Sequence, residues 1–429
     1  MYELDDTIFA SATGGVRAAL TVVRISGRRC GAILEVLCHP RPAPRRASLR
    51  TLRDREGEPI DRGLVLWFPA PGSYTGEDSA ELHVHGGRAV WEAVATTLTA
   101  AGARPADPGE FTRRAFLHGK MDLPRAEAVA DLVAAETQAQ RRQALREIDG
   151  ELGTRYRGWS RRLLEISAGH EACVDFPDED LPPDLGARFE GEIAAIATEV
   201  RCHLHADRGS ERLRDGLVFA IVGPPNVGKS SLLNVLAGRE AAIVAPSPGT
   251  TRDVLEVRVS CAGVPVTLLD TAGLRDSDDP VETEGVRRAL ERASAADVTI
   301  GVVDASGTGR APPCHVLVAN KVDLAPAPPE ADCAVSVRTG VGVDGLRARI
   351  DELASALTER AGPATSMRAR HRAALTEVAA CLERALDLAM PELAAEELRI
   401  ALGHLGRITG AVGAEEILDS VFSQFCIGK

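Results

Sequence analysis

The stretch that most restricts this chain is GPPNVGKSS at 223–231, set between the apolar run FAIVG and the helical pattern SLLNVLAG. A strand, a glycine-rich turn and a helix in direct succession bring backbone N–H groups and a helix N-terminus to one point, and that point holds phosphate. Gly223 and Gly228 let the backbone wrap phosphate oxygens, and Asn226, Val227, Gly228, Lys229, Ser230 and Ser231 line the loop. Lys229 reaches the terminal phosphates, and the Ser230 hydroxyl is placed for Mg²⁺. The residues around such a loop must form an α/β layer with buried parallel strands.

Three further motifs follow the loop. DTAG (Asp270, Thr271, Ala272, Gly273) ends the run VTLLD, where Asp270 can hold the metal's water shell and the Gly273 N–H can meet a γ-phosphate. NKVD (Asn320, Lys321, Val322, Asp323) ends the run HVLVA. There the Asp323 carboxylate accepts two hydrogen bonds from the N1–H and 2-amino edge of guanine, a donor pair that adenine lacks. GTTRD at 249–253 supplies Thr251 to close over Mg²⁺ in the triphosphate state. This order and spacing are those of a GTPase domain, and GTP is the expected ligand. Ras-like GTPases follow DxxG with a glutamine that orients the attacking water. Leu274 stands there instead and cannot hydrogen-bond, so another group must do that work. Arg252, Arg275 and the run DSDDPVETE at 276–284 are nearby, and each of those carboxylates taken singly reads first as a solvated loop residue.

The rest of the chain is organised around this block. Its 429 residues are long enough for about two to four domains. Residues 1–118 mix short strands (TVVRIS at 21–26, GLVLWF at 63–68, ELHVHGG at 81–87) with helices, and read as a compact α/β domain. Long helices fill 119–213, with Val129, Leu132, Val133, Leu145 and Ile148 on one stripe, and DFPDEDLPPD stops a helix that runs from about 155 to 173. Residues 214–358 form the nucleotide block, and helices return over 359–429. The simplest account is one helical domain with the GTPase domain inserted in it; two separate helical units are the alternative.

A net charge of −12 argues against a general polyanion binder, although the arginines of the first 62 residues leave room for a local basic face. Nine cysteines form no C-x-x-C pair, so buried reduced thiols are expected at 30, 38, 173, 202, 261, 314, 333 and 381. With no signal-peptide pattern and no apolar run of about 18 residues, a soluble cytoplasmic protein without membrane contact is expected. The chain ends on FSQFCIGK. Cysteine fourth from the end matches the position of a prenylation signal, but Gly428 and a terminal lysine suit that signal poorly.

VVRISG (22–27), YTGEDSAELHVHGG (74–87), PGEFTRRAFLHGKMDL (108–123), AEAVADLV (126–133), the DFPDED segment, the nucleotide motifs, LGRITG and the terminal CIGK together resemble the MnmE (TrmE) family of tRNA-modification GTPases, over essentially the whole chain. The resemblance implies an N-terminal folate-binding-like α/β domain that dimerises and a helical domain carrying an inserted Ras-like P-loop GTPase domain. It implies that 5-formyl-tetrahydrofolate, or a related one-carbon folate, is held by Arg24, Glu81, Lys120 and Lys429. It implies that the GTPase domains meet face to face with K⁺ in place of an arginine finger. The ion would lie at Asn226, Ala245, Ser247 and Thr250, within a loop (Ala245, Pro246, Ser247, Pro248, Gly249, Thr250, Thr251) that folds over the nucleotide. The carboxylate that orients the water indirectly falls on Glu282, and Cys426 is assigned to the modification chemistry. The implied partners are a second copy of the chain, the flavoprotein MnmG (GidA) in a heterotetramer or larger complex, and tRNA, whose wobble uridine would be modified at its 5-position. A non-enzymatic GTPase switch shares GTTRD and NKVD but predicts no folate affinity. A membrane-anchored reading rests on Cys426 alone. For Arg24 and Glu81, a surface ion pair of little energetic value is the competing reading.

Overall fold

A computed structural model of the chain describes residues 6–13, 18–175, 185–206, 208–238, 256–270, 295–307, 309–310, 313–358, 367–388, 390–413, 415–423, 425 and 428. The chain divides into two compact units, one of Met1–Ala130, Ile148–Pro182 and Asp387–Lys429, the other of Asp131–Glu147 and Pro183–Leu386.

The first unit is built on strands β1 (Thr7–Ser11), β2 (Ala18–Ser26), β3 (Ser48–Arg53), β4 (Pro59–Phe68), β5 (Ser79–Gly86) and β6 (Ala103–Pro105), in the spatial order β3-β4-β5-β2-β1-β6. All neighbours are antiparallel except β1 and β6. The period-2 alternation of β2 and β5 decides which residues meet solvent. Val23, Ile25, Leu82 and Val84 point into a core with Ile33, Leu34, Val94 and Leu98 of the Cys30–Cys38 and Arg88–Ala100 helices. Each such side chain contributes about 1.5–3 kcal/mol of burial. Arg24, Glu81 and His83 consequently lie on the other face. There the Glu110–Leu117 helix covers the β1 end, with Phe111 packed on Ile8 and Ala10. Helices Glu151–Asp175 and Pro391–Thr409 pack on each other, and Phe422 and Phe425 pack on Leu123 and Ala126.

In the second unit, β7 (Leu217–Val222), β8 (Glu256–Cys261), β9 (Val264–Asp270), β10 (Val298–Asp304), β11 (Val316–Asn320) and β12 (Cys333–Ala334) lie in the order β12-β11-β10-β7-β9-β8. Every pairing is parallel except β8 with β9. Buried Phe219, Ile221, Leu268, Ile300, Val302 and Val318 pack against Leu346 and Ile350 of the Val343–Thr358 helix and Leu232 and Leu233 of the Lys229–Leu236 helix. Such runs suit strands covered on both faces. Asp270 and Asn320 close their strands at the C-terminal edge, and the phosphate loop leaves β7 at that same edge, where open α/β sheets bind ligands.

Two expectations fail. The stripe expected across 129–148 does not form. Helix Leu123–Ala134 stops and a new one, Gln138–Ile148, begins, leaving Val133 and Leu145 exposed. The break is a capping box: Thr137 Oγ1 accepts from the Gln140 N–H at 3.2 Å, while Gln140 Oε1 accepts from the Thr137 N–H at 3.0 Å. Of the cysteines expected to be buried, Cys202 is exposed and Cys314 and Cys333 are half-buried.

Candidate functional site

The nucleotide loop is shaped by what presses on it. Gly228 has φ +97°, and a Cβ there would lie 2.4 Å from Asn320 Nδ2. Only glycine satisfies both constraints. Asn320 Nδ2 donates to the Val227 carbonyl at 2.9 Å and its Oδ1 accepts from the Val337 N–H at 3.2 Å. Lys229 is 5% exposed and donates to the Gly223 and Pro224 carbonyls at 2.8 and 2.7 Å, so it is folded back on its own loop. Burial pulls its pKa down, against the opposing charge of Asp270. Ser230 Oγ donates to Asp270 Oδ2. A hydroxyl and a carboxylate thus meet beside the loop, and two hard oxygen donors there fit Mg²⁺.

Beside the loop is a cavity of about 300 Å³ whose lining includes Ser231, Asn320, Lys321, Asp323 and Val337. Asp323 accepts from Ser336 Oγ at 2.7 Å and from Arg338 at 2.5 Å. The Ser336 hydrogen bond and the Arg338 charge lower its pKa, so it presents an ionised acceptor edge. Lys321 donates to the Asn226 carbonyl at 3.0 Å and to Asp304 at 2.6 Å, and that bond, with Ser306, holds Asp304 at a pKa of about 2. Val322 is tied by its N–H to the Val335 carbonyl at 3.2 Å. Sequence reasoning missed Asp304, Ser336 as a carboxylate donor and Arg338; the signals available were the aspartate closing VTIGVVD and the SVRTG run. Ala245, Pro246, Ser247, Pro248, Gly249, Thr250, Thr251, Thr271, Ala272, Gly273 and Glu282 lie outside the described residues.

In the first unit, β2 and β5 place Arg24 directly opposite Glu81, and the guanidinium donates to Glu81 Oε1 at 3.2 Å. His83 Nε2 stands 3.5 Å from the other carboxylate oxygen. The Arg24 guanidinium carbon lies 5.7 Å from the ring centroids of both Tyr74 and Phe111. Tyr74 is fixed by a 2.9 Å hydrogen bond between its hydroxyl and that of Thr112. Lys120 does not join this pair directly: its Nζ donates to the Pro71 carbonyl at 2.9 Å, on the segment that leads into Tyr74. Cys426 and Lys429 lie outside the described residues.

Behind the pair is an ionic network, buried at Arg114, Glu110 and Glu77, that sequence reasoning did not find. Arg114, 2% exposed, donates to Glu110 Oε1 at 2.9 Å, to Glu77 Oε1 at 3.2 Å and to Asp6. Arg104 donates to Glu110 at 2.6 and 2.8 Å and to Asp6 at 2.5 Å. The only hint in sequence was the Glu110/Arg114 spacing on one helix. Among the described residues no group of three or more His, Cys, Asp or Glu could hold a metal, and no helix is long and apolar enough to cross a membrane.

Residues 7–120 match the family described as "GTP-binding protein TrmE N-terminus", and residues 123–426 match the "MnmE helical domain". The second match alone spans more than half of the chain. The chain belongs to the MnmE family of tRNA modification GTPases. Among its relatives of that name, the protein of Gluconacetobacter diazotrophicus is 56% identical over 98% of both chains. That of Granulibacter bethesdensis is 50% identical over 99% of both, and that of Parvibaculum lavamentivorans is 51% identical over 99% of this chain and 100% of its own. A solved FeoB G domain of Methanococcus jannaschii aligns with 32% of this chain at 20% identity and a TM-score of 0.24, too low to bear on the reading. Family membership accounts for finding a P-loop GTPase block within this longer chain.

Proposed function

We propose that this MnmE-family chain is a K⁺-stimulated GTP hydrolase that works, as a homodimer with the flavoprotein MnmG, in modifying the 5-position of the wobble uridine of tRNA, drawing a one-carbon unit from a 5-formyl-tetrahydrofolate-type cofactor. The observation that carries the reading is the presence, in one family member, of a guanine-reading loop and a separate Arg24–Glu81 pair facing away from a sheet's core.

In the nucleotide site, Asp323 reads the guanine edge and Asn320 holds its strand against the phosphate loop. Lys229 exchanges the carbonyls of Gly223 and Pro224 for terminal phosphate oxygens, which compensates a cation that burial disfavours. Ser230 and Thr251 would hold Mg²⁺, with Asp270 accepting from the Ser230 hydroxyl, and the ion would neutralise developing phosphate charge. Glu282 is assigned to orienting the water, since Leu274 cannot. Asn226, with Ala245, Ser247 and Thr250, is assigned to hold K⁺, whose positive charge would take the place of an arginine finger.

In the other site, the Arg24 guanidinium suits a glutamyl carboxylate, and Glu81 suits the N–H edge of a pterin. Lys120 and Lys429 would add cations, and Cys426 is assigned to the modification step. Dimerisation through the N-terminal domain is supported by exposed Leu49 and Leu64, which pair across β3 and β4. The domain arrangement proposed is 1–118 for folate binding and dimerisation, 119–213 and 359–429 for the helical domain, and 214–358 for the inserted GTPase, acting in the cytoplasm.

Nucleoside analysis of tRNA from a strain lacking this chain is the test. Persistence of the modified wobble uridine would end the proposal. Calorimetry with 5-formyl-tetrahydrofolate on wild type and Arg24→Ala separates it from a GTPase switch without folate chemistry: heat in the first and none in the second is expected.

A further inference from the structure

Four non-glycine residues have a positive φ among the described residues, and two of them, Asn226 at 64° and Lys321 at 65°, are joined by one hydrogen bond. Lysine rarely adopts that conformation, so surrounding contacts must hold it there. The Lys321 ammonium donates to the Asn226 carbonyl at 3.0 Å and to Asp304 Oδ2 at 2.6 Å.

Strand register supplies the aspartate. Asp304 and Asn320 are direct partners in the parallel pairing of β10 with β11, and the Ala305 N–H donates to the Asn320 carbonyl at 2.8 Å. The carboxylate is fixed at its other oxygen, where Asp304 Oδ1 accepts from the Ser306 N–H at 2.9 Å and from Ser306 Oγ at 2.6 Å. That leaves Oδ2 to Lys321. Two consecutive carbonyls of the loop, those of Asn226 and Val227, are thus held by two consecutive residues, Lys321 and Asn320. A carbonyl tied back to β11 cannot turn its negative end toward a phosphate, and the N–H groups of the loop are left to meet it. The short Asn320 amide does this unaided. The lysine, a point charge on a flexible four-carbon stem, needs a fixed anion to aim it.

We propose that Asp304 is a positioning residue for GTP binding: anchored by Ser306, its carboxylate aims Lys321 at the Asn226 carbonyl and so keeps that carbonyl turned away from the phosphates. Asp304 touches no nucleotide in this role and acts only through Lys321. The proposal rests on the reading of this loop as the GTP site.

A double-mutant cycle on the full chain is the test. Fluorescent GDP is titrated into wild type, Asp304→Ala, Asp304→Asn, Lys321→Ala and the double variant Asp304→Ala with Lys321→Ala, and circular dichroism melting shows that each is folded. Asp304→Ala is expected to weaken GDP about tenfold, Lys321→Ala at least as much, and the double variant no more than Lys321→Ala alone. Losses that multiply in the double variant would show that Asp304 acts apart from Lys321, and would overturn the proposal. Asparagine keeps the volume of Asp304 but cannot accept on both oxygens, so Asp304→Asn should lose about as much as Asp304→Ala. Wild-type affinity in Asp304→Asn would overturn the role of the carboxylate, even where an alanine variant fails to fold. A wild-type chain that bound no GDP would instead refute the GTP site itself.

Discussion

The Asn320 amide donates to the Val227 carbonyl at 2.9 Å, and this bond joins the NKVD end of β11 to the glycine-rich loop. The same side chain accepts from Val337, so three segments of the pocket meet on one amide. Removing it leaves buried backbone groups without partners, which costs about 1–3 kcal/mol each. Asn320→Ala is expected to weaken guanine nucleotide binding about 10- to 100-fold, measured by titration with a fluorescent GDP. Unchanged affinity would mean that the pocket is held together by other contacts.

Asp323 offers a test of base identity that does not depend on that scaffold. Its carboxylate is ionised and directed by Ser336 and Arg338. Asparagine keeps the shape but replaces one acceptor with a donor. Asp323→Asn should lose GTP by about 10²-fold or more, since a site built for a hydrogen-bonding edge rejects one that leaves it unpaired. It should gain XTP, whose 2-oxo group accepts where guanine donates. Competition between the two nucleotides measures the switch, and retained preference for GTP would place guanine recognition elsewhere.

These two residues were legible in the sequence because each follows a buried apolar run, and a strand end with a polar signature admits few readings. Arg24 and Glu81 were named only through the family resemblance, and their alignment across β2 and β5 is a fact of register. The network of Asp6, Glu77, Arg104, Glu110 and Arg114 was not legible. Its members come from four separate segments, and the network is complete only once the Glu110–Leu117 helix lies on the sheet. Helical periodicity misled where Thr137 and Gln140 cap a new helix, because a local side-chain cap outweighs the continuity of an apolar stripe.

That network predicts acid sensitivity with a definite sign. Burial works against the charges of Asp6 and Glu110, but hydrogen bonds from Arg114 and Arg104 to the first, and from Arg104, the Asp107 N–H and Arg114 to the second, lower both pKa values. The unfolded chain therefore takes up these protons first on acidification. The stabilisation is complete above the ordinary carboxylate range of about 4–4.5 and is lost as pH falls through and below it. All three tryptophans, Trp67, Trp91 and Trp159, belong to the first unit, so their fluorescence in urea reports its unfolding. The urea midpoint should drop between about pH 5 and pH 3, and Glu110→Gln should flatten that drop. At neutral pH, Arg114→Met should destabilise the unit by about 3–5 kcal/mol, because it strands buried carboxylates. A midpoint independent of pH in wild type would show that these charges contribute nothing to folding.

Asn226 carries the remaining prediction. It holds a positive φ of 64°, and its carbonyl is committed to Lys321 Nζ at 3.0 Å. The side-chain amide oxygen is then what this residue has to offer an ion. A monovalent cation bound there would add positive charge beside the β- and γ-phosphates, where the transition state for GTP hydrolysis accumulates negative charge. Sodium and potassium carry the same charge but differ in size, so a built site distinguishes them and general salt screening does not. GTP hydrolysis at constant ionic strength should be faster in KCl than in NaCl, and Asn226→Ala should bring the two rates together near the NaCl value. Because the carbonyl contact to Lys321 is retained in that variant, nucleotide affinity should change far less than the rate. Equal rates for wild type in the two salts would remove potassium from the mechanism.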